Sequence, residues 1–170
     1  MIREEKTLII ACHKCVTQMP EGWDDRVFII SSASNPIHRH DFRQQEYLRQ
    51  YIEEKGCRQI LVVGHYHTEA VMQIARDTTA EAPQSALTFN LKSFMQNRDT
   101  KVLSDENYEL NLVELNVIQQ CRLLLEHGFI QERVDDKTLS IIGIVAGTAY
   151  RNATQVFYNG ISYNTLITSN

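Results

Sequence analysis

The chain has 170 residues, of which 43% are hydrophobic and 22% charged, with a formal net charge of −4. A chain of this size is most simply one domain, 1–170, with a core of its own, and an acidic balance without a basic face argues against a nucleic-acid partner. Its apolar runs are far shorter than the ~20 residues a membrane-spanning helix needs, and the opening MIREEKTLII has no apolar stretch with a small-residue cleavage site, so a cytoplasmic protein away from the membrane is expected.

TLIIAC (7–12) is the first short, continuously apolar run, and VFII (27–30) is the second. HDFRQQEYLRQYIEEKG follows as a helix, with Phe42, Tyr47, Leu48, Tyr51 and Ile52 near helical spacing and Gly56 as a C-terminal stop. ILVV (60–63) is a third apolar run, followed by TEAVMQIARDT, a helix with Thr68 as its N-cap candidate. Residues 81–104 carry little pattern beyond a short helix around Leu91–Met95. NYELNLVELNVIQQCRLLLEHG reads as a long amphipathic helix whose apolar stripe is Leu112, Leu115, Val117, Ile118, Leu123 and Leu124, with Gly128 as its end. LSIIGIVA (139–146) is the fourth run, and residues 153–166, after the turn TAYRN, read as one or two edge strands. Strands that are apolar throughout, not alternately, are covered on both faces, as in a parallel sheet. Alternation of such strands with helices predicts an α/β fold: a mainly parallel central sheet of four strands flanked by helices, with the tail at its edge.

In open parallel sheets, sites form beyond the carboxyl ends of the strands. Cys12 ends the first apolar run, SSASN (31–35) follows the second, and Gly64-His65 follows the third. Cys12, His13, Cys15, His65 and His67 offer zinc donors on two loops, in Cys-x-x-Cys and His-x-His spacing, and zinc takes about four such ligands. Against this, Cys12 also fits as a small buried hydrophobe and His65 as a hydrogen-bonded strand-end residue. Cys12 and Cys15 would also suit a thiol–disulfide pair, but VTQMPEGW, which follows, is poor material for the helix that activates such a thiol. With no export signal, the four cysteines (Cys12, Cys15, Cys57, Cys121) read as thiols or ligands and not as a disulfide framework. His38, His40 and Asp41 read as loop and helix-start residues, and Tyr150, Arg151, Tyr158 and Tyr163 as surface or interface residues. Neither a Gly-rich phosphate loop nor a Gly-x-Ser-x-Gly elbow occurs.

The order TLIIAC (7–12), RVFIISSASN (26–35), RQILVVGHYHTEAV (58–71), a long helix from about Asn107, then LSIIGIVAGTAYRNATQVFYN (139–159) resembles the β-class carbonic anhydrases. In that family one strand ends in Cys-x-Asp-x-Arg, a second carries Arg-Asn-Ala-Gly-Asn, and a third runs into Gly-His-x-x-Cys-Gly-Ala. The family's zinc ligands are the Cys of the first motif and the His and Cys of the third. The resemblance places Cys12 on the first ligand and His65 on the second. Thr68 stands at the third, Lys14 at the family Asp and Val16 at its Arg; Ser31-Ser32-Ala33-Ser34-Asn35 replaces the middle motif.

Thr is a poor zinc ligand, and Lys14 would place a positive charge beside a dication. The resemblance therefore implies a divergent member without the family's CO2 hydration, with Lys14, Ser34, Asn35 and Thr68 lining the old pocket, suited to a small anion such as bicarbonate. It leaves a zinc-dependent alternative in which Cys12, Cys15, His65 and His67 share the metal, and a third, thiol-redox alternative on Cys12 and Cys15. The family's habit implies a homodimer or higher homo-oligomer.

Overall fold

The computed structural model describes residues 5–12, 16–17, 25–32, 41–65, 105–146 and 153–163. Its centre is a six-stranded sheet in the order β2-β1-β3-β4-β5-β6. The strands are β1 (Thr7–Cys12), β2 (Val27–Ser32), β3 (Gln59–His65), β4 (Ser140–Ala146), β5 (Ala153–Tyr158) and β6 (Ile161–Ser162). β1 pairs in parallel with both β2 and β3, and β3 pairs in parallel with β4. The four apolar runs are thus the parallel strands, as expected. The tail supplies two antiparallel strands, β5 on β4 and β6 on β5.

Continuous apolarity has its physical reason in this sheet. Every residue of β1 is buried. Leu8 and Ile10, with Ile60 and Val62 of β3, pack into one large cluster; Ile9 and Ala11, with Leu61 and Val63, pack into a second. The period of two sends alternate residues to opposite faces, so both parities must be apolar. Val27, Ile29, Ile142 and Ile144 pack, partly buried, against the second cluster.

The first face is covered by three helical elements: α1 (Phe42–Arg49), α2 (Asp105–Leu125) and α3 (Gly128–Asp135). Asp41 caps α1 by accepting hydrogen bonds from the Arg43 and Gln44 N–H groups at 3.0 and 3.3 Å, which confirms it as a helix-start residue. α1 runs on into a π-helical stretch, Gln50–Glu54, where the Lys55 N–H donates to the Gln50 carbonyl at 3.0 Å. Gly56 then ends the helix with φ +73°, the left-handed conformation glycine adopts without strain. Leu48 and Ile52 are buried, and Tyr51 packs on Phe28 with ring centroids 5.4 Å apart. Phe42 and Tyr47 depart from the expected stripe: they are 81% and 60% exposed.

The long helix forms as expected, with Val117, Ile118 and Leu124 buried in the main cluster. Its end differs. α2 stops at Leu125, and Gly128 opens a further helix, α3, with His127 at the N-cap position. Arg49 lies over the Phe129 ring, 4.2 Å from its centroid, tying α1 to α3. The helices expected at residues 68–78 and around 91–95 lie outside the described residues.

Candidate metal centre

Cys12 is the last residue of β1 and His65 the last of β3, the strand beside it. Ala11 is level with Val63. Cys12 therefore comes level with Gly64, one residue short of His65, on strands about 4.8 Å apart. Both side chains are 8% exposed. Cys12 belongs to the second cluster, with Ile9, Ala11 and Val63. His65 follows Leu61 and Val63 at the two-residue period and so shares their face. The β-carbon that Gly64 lacks would point the other way, into Val113 and Val117 of α2, which fixes the side on which His65 lies. One soft and one borderline metal donor thus stand at the carboxyl ends of adjacent strands.

Two further observations bear on this site. Among the described residues, no group of three His, Cys, Asp or Glu side chains comes together, so Cys12 and His65 would need further ligands from outside that set. Val16 is partly buried and packs with the second cluster, so an apolar side chain serving the core stands where the resemblance would have a charged one. Lys14, Cys15, Ser34, Asn35, His67 and Thr68 lie outside the described residues.

The other described thiols suit neither metal binding nor nucleophilic work. Cys57 and Cys121 are buried and form no disulfide. Burial raises the Cys57 thiol pKa to about 11, against the opposing pull of Lys6, and burial pushes Cys121 up as well. The thiolate is the reactive and metal-binding form, and both sites suppress it.

The part of the site hidden from sequence reading is its support. A β-carbon on Gly64 would meet Val117 Cγ2 at 2.5 Å and Val113 Cγ1 at 3.0 Å; one on Gly143 of β4 would meet Val117 Cγ1 at 2.8 Å. Val117 therefore sits in a notch made by two glycines on neighbouring strands. A glycine inside an apolar strand is the signal that could have suggested this close approach.

Comparison with known proteins agrees with this architecture. The carbonic anhydrase family model matches residues 9–150. Three solved structures are similar. The β-carbonic anhydrase CafD of Aspergillus fumigatus has a TM-score of 0.71 at 22% identity over 91% of each chain. CafA of the same fungus has a TM-score of 0.72 at 18% identity, over 89% of this chain and 74% of that one. A tetrameric β-carbonic anhydrase from Sordaria macrospora has a TM-score of 0.67 at 14% identity, over 89% of this chain and 80% of that one. Comparison with curated proteins gives no significant match. With the family model spanning most of its length and the fold shared with the solved structures, the chain belongs to the β-carbonic anhydrase family.

Proposed function

We propose that this chain is a divergent β-carbonic-anhydrase-like protein that does not carry out the family's CO2 hydration. The observation that carries this reading is the placing of Cys12 and His65 at the ends of adjacent strands, with an apolar Val16 packed against the cluster that holds Cys12. Two family-type donors remain. Thr68 replaces the third, and Lys14 and Val16 replace the Asp–Arg pair that would orient a zinc-bound hydroxide.

Zinc fits the donor set by its chemistry. Cys12 and His65, completed by Cys15 and His67 from the neighbouring loops, make a Cys2His2 group of the kind that holds structural zinc. Bound there, zinc would tie two loops together. Four protein ligands leave no open position at which zinc could lower the pKa of a water to ~7, so in this reading the metal stabilises and does not catalyse. Lys14, Ser34, Asn35 and Thr68 remain to receive a small anion, bicarbonate included. The protein works as a homodimer or higher homo-oligomer in the cytoplasm; the tetrameric Sordaria relative supports the oligomer.

A zinc hydratase with rearranged ligands is the second reading, favoured by the survival of both strand-end donors. One experiment separates the two: zinc content by elemental mass spectrometry on protein prepared without chelator or metal-affinity resin, followed by stopped-flow CO2 hydration. The proposal expects zinc equal to the chain, and hydration no faster than buffer. Zinc with brisk hydration overturns it in favour of the second reading. Absence of zinc, even after incubation with the ion, removes the four-ligand site.

A further inference from the structure

We propose that Val117 and Gly64 are positioning residues for His65: the valine, pressed onto the glycine from the helix side, sets where the histidine stands on the opposite face of the sheet. The inference rests on His65 belonging to the strand-end site.

Three observations carry it. Gly64 immediately precedes His65 in β3, and alternation sends the two to opposite faces. On the Gly64 face, Val117 Cγ2 lies 2.5 Å and Val113 Cγ1 3.0 Å from where a β-carbon would be, well inside the 3.4–4 Å of ordinary contact. The backbone at Gly64 thus lies too close to α2 to leave room for a β-carbon, and the missing side chain allows the approach. Third, Val117 is held on its other branch: Cγ1 is 2.8 Å from the equivalent point on Gly143, where Cys121 Sγ and Phe157 Cβ follow at 3.0 Å. The valine thus bears on two strands at once, one methyl over Gly143 of β4 and the other over Gly64 of β3. Gly64 and Val145 are register partners, as are His65 and Ala146, so ladder hydrogen bonds hold the strand end sideways while Val117 sets its height.

The consequence is quantitative. A methyl group at position 64 would force β3 and α2 apart at the residue before His65. Metal ligands must sit within about 0.2 Å of their working distances, so such a displacement is felt at the site even where the fold survives.

The test uses the full chain with 15N-labelled histidine and reads the His65 ring nitrogen shifts at one fixed alkaline pH. Gly64→Ala should move them. Gly64→Ala combined with Val117→Ala, which removes the nearer of the two opposing methyls, should bring them back toward wild type. Leu124→Ala opens a cavity under the same helix, two turns away, and should lower the melting temperature while leaving the His65 shifts in place. If Gly64→Ala alone does not fold, Val117→Ala carries the test, because loss of the contact should by itself shift or broaden the His65 signals. Unchanged His65 shifts in Gly64→Ala or Val117→Ala, or equal movement in Leu124→Ala, would overturn the proposal. In a parallel zinc titration, Gly64→Ala should bind roughly tenfold more weakly or worse, with recovery in the double variant. A wild-type chain that takes up no zinc would sink the zinc reading above and leave the ring-shift test standing.

Discussion

Asn159 is bonded twice to Ile141. Its side-chain Oδ1 accepts from the Ile141 N–H at 2.7 Å, and its own N–H donates to the Ile141 carbonyl at 3.0 Å. The same residue has φ +43° and precedes Gly160 at φ +94°, in the two-residue turn that joins β5 to β6. Positive φ at both central positions is what the tightest hairpins require, and Asn-Gly supplies it at least cost. Asn159 thus sets the turn and anchors it to β4. Asn159→Ala should lose the side-chain bond and strain the turn, lowering stability by about 1–3 kcal/mol in urea unfolding. A loss within error would mean that the β4 edge holds the hairpin without it.

The proposed ligand set makes a graded prediction. Cys12→Ala and His65→Ala should each abolish zinc binding, and Cys15→Ala and His67→Ala should each release zinc and lower the melting temperature. Full metal occupancy in both of the last two variants would exclude the four-ligand arrangement while leaving the fold assignment intact. Thermal shift with and without added zinc reads all four.

His127 gives the chain a pH dependence. It is buried at the start of α3, and its Nε2 makes no hydrogen bond. Burial lowers its pKa below the ordinary 6.5, Glu126 opposes this, and Arg49 adds to it. As pH falls through 6.5, the unfolded chain takes up the proton before the folded one does. The stability this histidine contributes is therefore complete above that value and is lost between it and the lower folded pKa. Urea midpoints from about pH 8 to about pH 5 should fall in the wild type and fall less in His127→Asn. Parallel curves would assign the acid sensitivity to other groups.

The two core thiols should be inert. With Cys57 raised to about 11 and Cys121 raised by its burial, neither offers much thiolate at neutral pH. Alkylation by iodoacetamide, located by peptide mass spectrometry, should spare both in the native protein and label both in denaturant. Rapid native labelling of Cys57 would show that its helix end opens.

Much of the sheet was legible because burial on two faces writes itself into one dimension. β1 and β3 are apolar at successive residues, and over Leu8–Ala11 and Ile60–Val63 alternate side chains fall into different clusters. Cys12 and His65 stood out as polar ends of such runs. Gly128 misled because a glycine after a long helix usually terminates it; here it opens α3, whose eight residues bury only Ile130 and Val134, too weak a stripe to stand out. Phe42 and Tyr47 lie at helical spacing yet face outward, since spacing alone does not say which side meets the sheet. The Val117 notch joins residues far apart in the chain, and nothing local marks which valine fills it. The Asn159-Gly160 turn did have a local mark, the Asn-Gly pair between two β-rich segments.

The π-helical stretch Gln50–Glu54 has one last consequence. It spans the same two anchors, Leu48 in the core and Gly56 at the stop, with one residue more than an α-helical path would use. Removing a single exposed residue there, such as Glu53 or Glu54, should let the turn close as ordinary helix without disturbing β3. A one-residue deletion there should leave the melting temperature nearly unchanged, whereas the same deletion within β3 would shift every later side chain to the wrong face.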